Sequence, residues 1–316
     1  MMISWVIGSG GLLGAALCRA LPRSGDELFL PDERFCWGDE DALAAQLSAT
    51  VGKFASKVRA ADQWQIYWAA GVGTMSSSAQ ALMPEARALT QVLQTLESHP
   101  RIMAKPGSIA FASSAGAIYA ESADEIITEH SQPTPTTAYA RAKLLQEDLL
   151  SSFVKRNSCA NALIARISTL YGPGQATGKK QGLLTHMARC ILRNQPIQIY
   201  VPFDTIRDYI TADDAADAMV SALAGIGAPQ QTVIRIVASE RPTTIAEIVS
   251  IFKRIARRGP RIVTSANRLS GLYTRRVQFR SMATQPSTSL RPMSLAVGIA
   301  RLMLQERGNL ARGDSQ

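Results

Sequence analysis

The chain has 316 residues, of which 46% are apolar, so it can bury a large core and is long enough for about two domains. Its four cysteines include no CxxC pair and its three histidines are scattered, which excludes a disulfide scaffold and predicts no metal site. The net charge is +9, and no apolar run approaches the ~18 residues of a membrane helix, so we expect a cytoplasmic protein without membrane contact.

Short β-rich runs alternate with helical patterns in the N-terminal half, which predicts a parallel sheet covered by helices on both faces. Four glycines interrupt the stretch 3–21, so we interpret it as a strand, a loop and a helix rather than as a targeting segment. The predicted strands span 3–7, 28–30, 65–70, 108–112, 162–167 and 233–238. The predicted helices span 12–21, 42–51, 138–154 and 210–223, and a capping box of Thr244 and Glu247 opens a further helix.

A glycine-rich loop follows the first predicted strand and opens the first helix. It contains Gly8, Gly11 and Gly14 in GxxGxxG spacing, with Leu12 and Leu13 at the start of the helix. Glycines allow a tight turn there and let backbone amides approach a pyrophosphate at the positive end of the helix. A glycine loop alone also occurs as a plain turn, so the prediction of dinucleotide binding depends on the strand-loop-helix context.

The end of the second predicted strand carries the residues that would distinguish NAD from NADP. Asp32 follows Gly14 by 18 residues, a spacing at which an acidic side chain accepts hydrogen bonds from the ribose hydroxyls of NAD. Arg34 can instead pair with the 2′-phosphate of NADP. Asp32 can equally be a turn residue and Arg34 a surface charge, so we predict only that the cofactor is NAD or NADP.

Tyr139 and Lys143 form a second constellation, in the helix predicted for 138–154. Positions i and i+4 share a helix face, so we expect the phenol and the ammonium within a few ångströms of each other. A nearby cation should lower the pKa of the tyrosine from about 10 towards the range of a general acid/base, and the lysine can also hold the nicotinamide ribose. Ser113 and Ser114 end a predicted strand and offer a hydroxyl to the substrate oxygen. An ordinary helix surface is the alternative for this spacing.

With these motifs, the chain resembles the extended short-chain dehydrogenases/reductases, in the epimerase/dehydratase branch that mostly acts on nucleotide sugars. The resemblance covers most of the chain and rests on the glycine loop, the Tyr/Lys pair and four further segments. These segments are Ala69-Ala70-Gly71, the run from Ser113 to Tyr119, the run from Arg166 to the YGPG turn at 171–174, and Arg207-Asp208-Tyr209-Ile210.

The fold class that follows is α/β, with a Rossmann-like doubly wound parallel sheet and a smaller, partly interleaved C-terminal substrate domain. We expect the dinucleotide-binding domain to comprise 1–171 and 206–238. The substrate-binding domain would then comprise 172–205 and 239–316. The resemblance also implies a homodimer formed through the helix that carries Tyr139.

The resemblance implies catalytic roles for three residues. Tyr139 would be the acid/base, Lys143 its electrostatic partner, and Ser114 the hydroxyl that orients the substrate, with Ser113 as the fallback. The same resemblance implies that three small residues line the cofactor: Ala69, Ala70 and Gly71.

Substrate contacts are implied by the resemblance at two further positions. Arg207 would bind the substrate diphosphate, because a guanidinium fork matches phosphate oxygens; an internal salt bridge with Asp208 or Asp213 is the alternative. Thr169 stands where the branch often has asparagine, so the contacts there should differ. Sugar 4,6-dehydratases carry an acidic pair where this chain has Ala115-Gly116-Ala117, which argues against dehydration.

Together these features predict an NAD(P)-dependent epimerase or oxidoreductase acting on a nucleotide sugar, with hydride transfer to or from the nicotinamide and proton transfer by Tyr139. A non-catalytic NAD(P)-binding sensor or scaffold is the alternative. A third hypothesis, RNA binding by the basic C-terminal quarter, lacks interleaved aromatic residues, so no nucleic-acid partner is predicted. The Arg/Ser/Thr-rich segment 265–291 has no predicted structure.

Overall fold

A computed structural model describes residues 2–174, 182–264, 276–283 and 292–313, except for the side chain of Ser24. Much of the Arg/Ser/Thr-rich segment lies outside the described residues. The strands within them are β1 Met2–Ile7, β2 Glu27–Phe29, β3 Gln63–Trp68, β4 Gly107–Ser114, β5 Ala160–Ile167, β6 Thr169–Tyr171, β7 Ile197–Ile199, β8 Ile206–Thr211, β9 Thr232–Val237, β10 Pro242–Thr244 and β11 Ile262–Thr264.

The α-helices alternate with these strands along most of the chain, and a short 3₁₀ turn at Leu21–Ser24 follows the first of them. They are α1 Leu12–Ala20, α2 Glu40–Val58, α3 Ala79–Glu97, α4 Pro100–Met103, α5 Ala115–Ile118, α6 Ala138–Arg156, α7 Leu183–Leu192, α8 Ala212–Ala224, α9 Ile245–Ala256 and α10 Leu295–Ala311.

Six strands form the main sheet, in the order β2-β1-β3-β4-β5-β9, and all neighbouring pairs are parallel. The chain first moves from β1 outward to β2 and then returns to the other side of β1 with β3. The order therefore reverses between β1 and β3, and the crevice outside the carboxyl ends of these two strands is where open α/β sheets bind ligands. This is the predicted doubly wound α/β sheet.

The central strands are buried on both faces, as expected for a parallel sheet covered by helices. One face packs on α2, α3 and the C-terminal half of α6 around aromatic residues that include Trp5, Phe54 and Trp64. The opposite face packs on α1 and α8 through small residues such as Ala16, Ala215 and Ala216. The two apolar layers keep the strand ends, and the residues that follow them, in fixed positions.

A third apolar cluster lies away from the main sheet and joins α7, α9 and α10. Two small sheets accompany it: β10-β8-β6, in which β8 pairs antiparallel with β10 and parallel with β6, and the parallel pair β11-β7. The ion pair of Arg189 on α7 with Glu306 on α10, with Nε and Oε2 2.7 Å apart, links residues distant in the chain. The two-domain division at the predicted boundaries stays a prediction.

Most predicted elements are present, with ends that differ by a few residues, but the helix predicted for 42–51 continues to Val58 in α2. The capping box of Thr244 and Glu247 forms as expected. The helix predicted for 210–223 is wrong at its start, because Ile210 and Thr211 end β8. The Thr211 hydroxyl caps α8 by accepting the Asp214 N–H at 3.0 Å, so the helix begins only at Ala212. The helices α3 and α10 had not been predicted.

None of the helices in the described part of the chain combines the length and the apolar character needed to cross a membrane.

Part of the Arg/Ser/Thr-rich segment, residues 276–283, lies along the body of the protein. Phe279 forms a β-bridge with Ile127, and Arg276 forms one with Ile206. Glu129 holds this segment by accepting hydrogen bonds from the Ser281 hydroxyl at 2.6 Å and the Met282 N–H at 2.8 Å.

Candidate active site

The glycine loop after β1 forms a cradle in which Gly8 and Gly14 leave no room for a side chain. Gly8 has a φ of +92°, and a Cβ at this residue would lie 2.5 Å from the backbone nitrogen of Ala70. A Cβ on Gly14 would lie 2.1 Å from the carbonyl oxygen of Gly8. Gly11 is the N-cap of α1 and provides no side chain to cap the first amides of the helix. The exposed helix start and the close backbone packing fit a pyrophosphate, which backbone N–H groups can bind directly.

The loops after β1 and β3 meet at this cradle, since Gly8 packs against the backbone of Ala69 and Ala70. Gly71 follows with a φ of +149°. At the start of α1, Leu13 is buried and Leu12 packs beside it, close to Gly172 of the YGPG turn. The structure therefore brings together the glycine loop, the Ala69-Ala70-Gly71 segment and the turn after β6.

Asp32 and Arg34 lie on the exposed loop between β2 and α2. The carboxylate of Asp32 forms an ion pair with Lys53, with Oδ2 and Nζ 2.6 Å apart, and this hydrogen bond lowers the pKa of Asp32. The carbonyl of Arg34 accepts a hydrogen bond from the side chain of Gln46 at 3.4 Å. Both an acceptor and two cations therefore lie on this loop and its neighbouring helix, so the loop offers partners for either ribose hydroxyls or a 2′-phosphate.

Tyr139, Lys143 and Ser114 meet at the carboxyl end of β4. Ser114 lies close enough to Tyr139 for its side chain to lower the pKa of the phenol. Lys143 is buried, its Nζ lies 5.8 Å from the centre of the Tyr139 ring and 4.9 Å from that of Phe111, and it donates to the carbonyl of Ala112 at 3.3 Å. Thr137 caps α6 just before Tyr139 and thereby sets where the helix begins.

The electrostatics of Tyr139 differ from the expectation. Burial raises the pKa of Tyr139 to about 12, and the charge of Glu85 adds to the increase, while the side chain of Ser114 opposes it. The predicted lowering of this pKa is therefore wrong for the protein alone, because burial destabilises the phenolate more than the side chain of Ser114 stabilises it. Burial also lowers the pKa of Lys143, although the carboxylates of Glu85 and Glu147 act in the opposite direction.

The neighbouring serine, Ser113, takes part in a buried polar network beneath this site. Its hydroxyl donates to Glu147 at 2.5 Å. Arg166 forms a two-pronged ion pair with Glu147, at 3.1 Å from Nε and 2.6 Å from Nη2, and also donates to the Tyr119 hydroxyl. Since the Ser113 hydroxyl is occupied by Glu147 and the Ser114 side chain lowers the pKa of Tyr139, Ser114 is favoured over Ser113 as the substrate-orienting hydroxyl.

The two predicted substrate residues lie on the second sheet. Thr169 is in β6, two residues beyond the end of β5, so it lies near the carboxyl edge of the main sheet. Arg207 is in β8, and its guanidinium donates to the carbonyl of Ile206 at 2.7 Å. Asp208 accepts hydrogen bonds from Ser168 and Ser239, and Asp213 pairs with Arg19.

Two residues near the site were missed by the sequence analysis. Glu147 follows Lys143 by four positions on α6, so its place on the same helix face was readable from the spacing. Glu85 lies on α3 and reaches the site only through the packing of α3 against α6, which no local pattern indicates. Within the described residues, no three side chains of the kinds that bind metals come together.

The fold and the site define an α/β protein with a glycine cradle at the switch point of a parallel sheet and a Tyr/Lys pair at the sheet edge. A family model for the NAD dependent epimerase/dehydratase family matches residues 5–236. The chain belongs to this family, as the resemblance implied, and the family is NAD-dependent.

Two curated relatives match shorter stretches of the chain. The dTDP-L-rhamnose 4-epimerase of Burkholderia thailandensis is 31% identical over 97 residues, which cover 30% of this chain and 26% of that protein. The dTDP-4-dehydro-6-deoxyglucose reductase of Escherichia coli is 32% identical over 115 residues, which cover 36% of each protein. The chain thus matches little more than a third, at most, of the length of these relatives.

A solved structure matches over nearly the whole chain. The NADPH complex of RMD from Pseudomonas aeruginosa has a TM-score of 0.79 and 20% sequence identity, covering 98% of this chain and 100% of that chain. This similarity shows that the two proteins share the Rossmann-like α/β fold.

Proposed function

We propose that this protein is an NAD(P)-dependent epimerase or oxidoreductase that acts on a nucleotide sugar. Its cofactor would accept or return a hydride at a sugar carbon, and Tyr139 would exchange the proton of the oxygen on that carbon. The observation that carries the proposal is the placement of Tyr139 beside buried Lys143, whose Nζ lies 5.8 Å from the centre of the Tyr139 ring, at the edge of the sheet that also holds the glycine cradle.

The cofactor class fits the residues around the cradle. Gly8, Gly11 and Gly14 would let the backbone approach the pyrophosphate, while Ala69, Ala70 and Gly71 leave space along the adjoining strand end. Asp32 or Arg34 would bind the adenosine ribose or its 2′-phosphate. Whether NAD or NADP is preferred depends on how the ion pair between Asp32 and Lys53 responds to the cofactor.

The residues at the sheet edge supply the proton transfer. With a pKa of about 12, Tyr139 carries its proton at neutral pH, which suits donation to the oxygen of a keto sugar. The reverse step needs the phenolate, which the Lys143 ammonium stabilises by its charge. The Ser114 hydroxyl, which lies near Tyr139, would hold the same sugar oxygen and align it with the phenol.

Both reaction types are represented among the relatives, one an epimerase and the other a reductase. In either reaction, Arg207 would bind the diphosphate of the nucleotide and Thr169 would contact the sugar. If the keto intermediate turns over in the site and is reduced on its other face, the result is an epimer. If it leaves, the protein is a dehydrogenase or reductase. A homodimer formed through α6 remains a prediction.

The test begins with cofactor binding, measured by the absorbance and fluorescence of added NADH and NADPH, followed by a screen of nucleotide sugars with the native protein. Tyr139→Phe should bind the cofactor normally and lose turnover, whereas Tyr200→Phe, at an exposed tyrosine, should keep it. Turnover that survives Tyr139→Phe would overturn the catalytic proposal. Absence of cofactor binding by the native protein would contradict the NAD(P) assignment altogether.

A further inference from the structure

Glu85 on α3 lies against the loop that follows β3. Its Oε1 atom accepts the backbone N–H groups of both Val72 and Gly73 at 2.7 Å. These residues directly follow Gly71, which belongs to the segment proposed to line the cofactor. Hydrogen bonds to a carboxylate are stronger than neutral ones, so this side chain holds the loop in one position.

The same carboxylate adjoins Tyr139 across the thin glycine loop. A Cβ on Gly73 would lie 3.3 Å from Oε1 of Glu85 and 3.3 Å from Cδ2 of Tyr139, so one methyl group would touch both. A Cβ on Gly71 would lie 3.1 Å from Oε2 of Glu85. The glycines therefore let an acidic side chain of α3 approach the phenol on α6.

The charge of Glu85 acts on both members of the Tyr/Lys pair. It raises the pKa of Tyr139, where burial has the larger effect, and it opposes the burial that lowers the pKa of Lys143. The other groups that act on the pair are Ser114 from β4, which lowers the pKa of Tyr139, and Glu147 from α6, which raises that of Lys143. Because Glu85 shifts both groups in the same direction, its effect differs from that of a group acting on one of them.

We propose that Glu85 is a positioning residue of this site: it clamps the loop 71–73 beside Tyr139 and holds a negative charge behind the Tyr139/Lys143 pair, so that proton transfer operates at higher pH than with a neutral side chain. This inference rests on the proposed function of Tyr139. Glu85 acts through Tyr139, Lys143 and the loop, without contact to the reacting atoms.

The variant Glu85→Gln separates the charge from the clamp. Its amide oxygen can still accept both N–H groups at the position of Oε1, while the charge is lost. We expect both limbs of the pH profile of kcat to move to lower pH by about 0.5 to 1 unit, since removal of one nearby negative charge lowers the pKa of both groups. Glu97→Gln removes a charge at the far end of the same helix and should leave the profile unchanged.

A second readout needs no substrate. In protein labelled with ¹³C at tyrosine Cζ, the Tyr139 resonance is identified by its loss in Tyr139→Phe. Its ionisation is followed between pH 9 and 11, a window that ends about one unit below its pKa of about 12. Ionisation should begin at lower pH in Glu85→Gln than in the native protein. An onset at the same pH in both proteins would overturn the inference, whether or not a nucleotide sugar is turned over.

Glu85→Asp is the second variant, because it keeps the charge but shortens the side chain and weakens the clamp. We expect its Tyr139 resonance to titrate close to the native one, with weaker cofactor binding. A displacement as large as that in Glu85→Gln would contradict the role assigned to the charge. Turnover that persists in Tyr139→Phe would overturn the proposed function. The NMR titration, in contrast, tests only the role of Glu85.

Discussion

The buried ion pair beneath the site provides a quantitative test of the structure. Arg166 and Glu147 have side chains that are only 5% and 4% exposed, and each prong of the guanidinium contacts one carboxylate oxygen. In Arg166→Met the alkyl part of the side chain is largely kept, but Glu147 is left buried without its cation. Breaking a buried pair in this way costs about 3 to 5 kcal/mol.

The expected change in melting temperature follows from the length of the chain. Unfolding entropy near 60 °C is about 2.1 cal/mol/K per residue, so the 316 residues give about 0.66 kcal/mol/K. The loss should therefore lower Tm by about 5 to 8 °C in a thermal melt followed by circular dichroism.

A matched control comes from an exposed pair. Arg87 and Glu40 have side chains that are 61% and 50% exposed, so Arg87→Met should cost less than about 1 kcal/mol. Replacing both buried partners, in Arg166→Met with Glu147→Leu, should recover part of the loss because no unpaired charge remains. If the Tm of Arg166→Met equals that of the Arg87→Met control, the buried ion pair of Arg166 with Glu147 does not stabilise the protein.

Three further predictions test other parts of the structure. Gly14→Ala should abolish NADH binding in a fluorescence titration, since its Cβ would lie 2.1 Å from a carbonyl oxygen. Gly10→Ala, with open space around it, should bind NADH normally. Equal binding by both variants would refute the role of the glycine cradle. Asp32→Ser removes the carboxylate that pairs with Lys53 and leaves this cation available to a 2′-phosphate. The ratio of the NADPH to the NADH dissociation constant should therefore fall at least about tenfold. An unchanged ratio would show that this loop does not select the cofactor. Thr244→Ala removes the capping hydroxyl of α9 and should lower the free energy of unfolding by about 1 kcal/mol in urea titrations; no loss would contradict the capping box.

Local spacing was enough to predict the parts of the site that lie within one element. The glycines fall at the turn between β1 and α1, and Tyr139 and Lys143 lie on one face of α6, because both depend on residues only a few positions apart. The assignment of Ile210 and Thr211 to strand β8 was not predictable in this way. Ile210 and Thr211 are apolar or capping residues that fit a helix start, and only their pairing with β6 makes them a strand.

The rest of the site depends on contacts between distant elements. The helix α3 has an N-cap at Ser78 and a regular apolar face, but Pro84 lies inside it, which weakens the helical signal. The pKa of Tyr139 was predicted in the wrong direction because the spacing indicates Lys143 but not the burial of the phenol or the approach of Glu85. Burial and charge from another helix are properties of the packed structure, and the sequence pattern of α6 contains neither.

Proton transfer by Tyr139 is proposed to accompany hydride transfer. The most direct measurement is a single-turnover experiment in which the nicotinamide absorbance at 340 nm is followed after a nucleotide sugar that the native protein turns over is mixed with the cofactor-loaded protein. In Tyr139→Phe the rate should fall at least about 100-fold, the usual contribution of a general acid/base, while cofactor affinity stays the same. A rate within a factor of two of the native one would contradict this role of Tyr139.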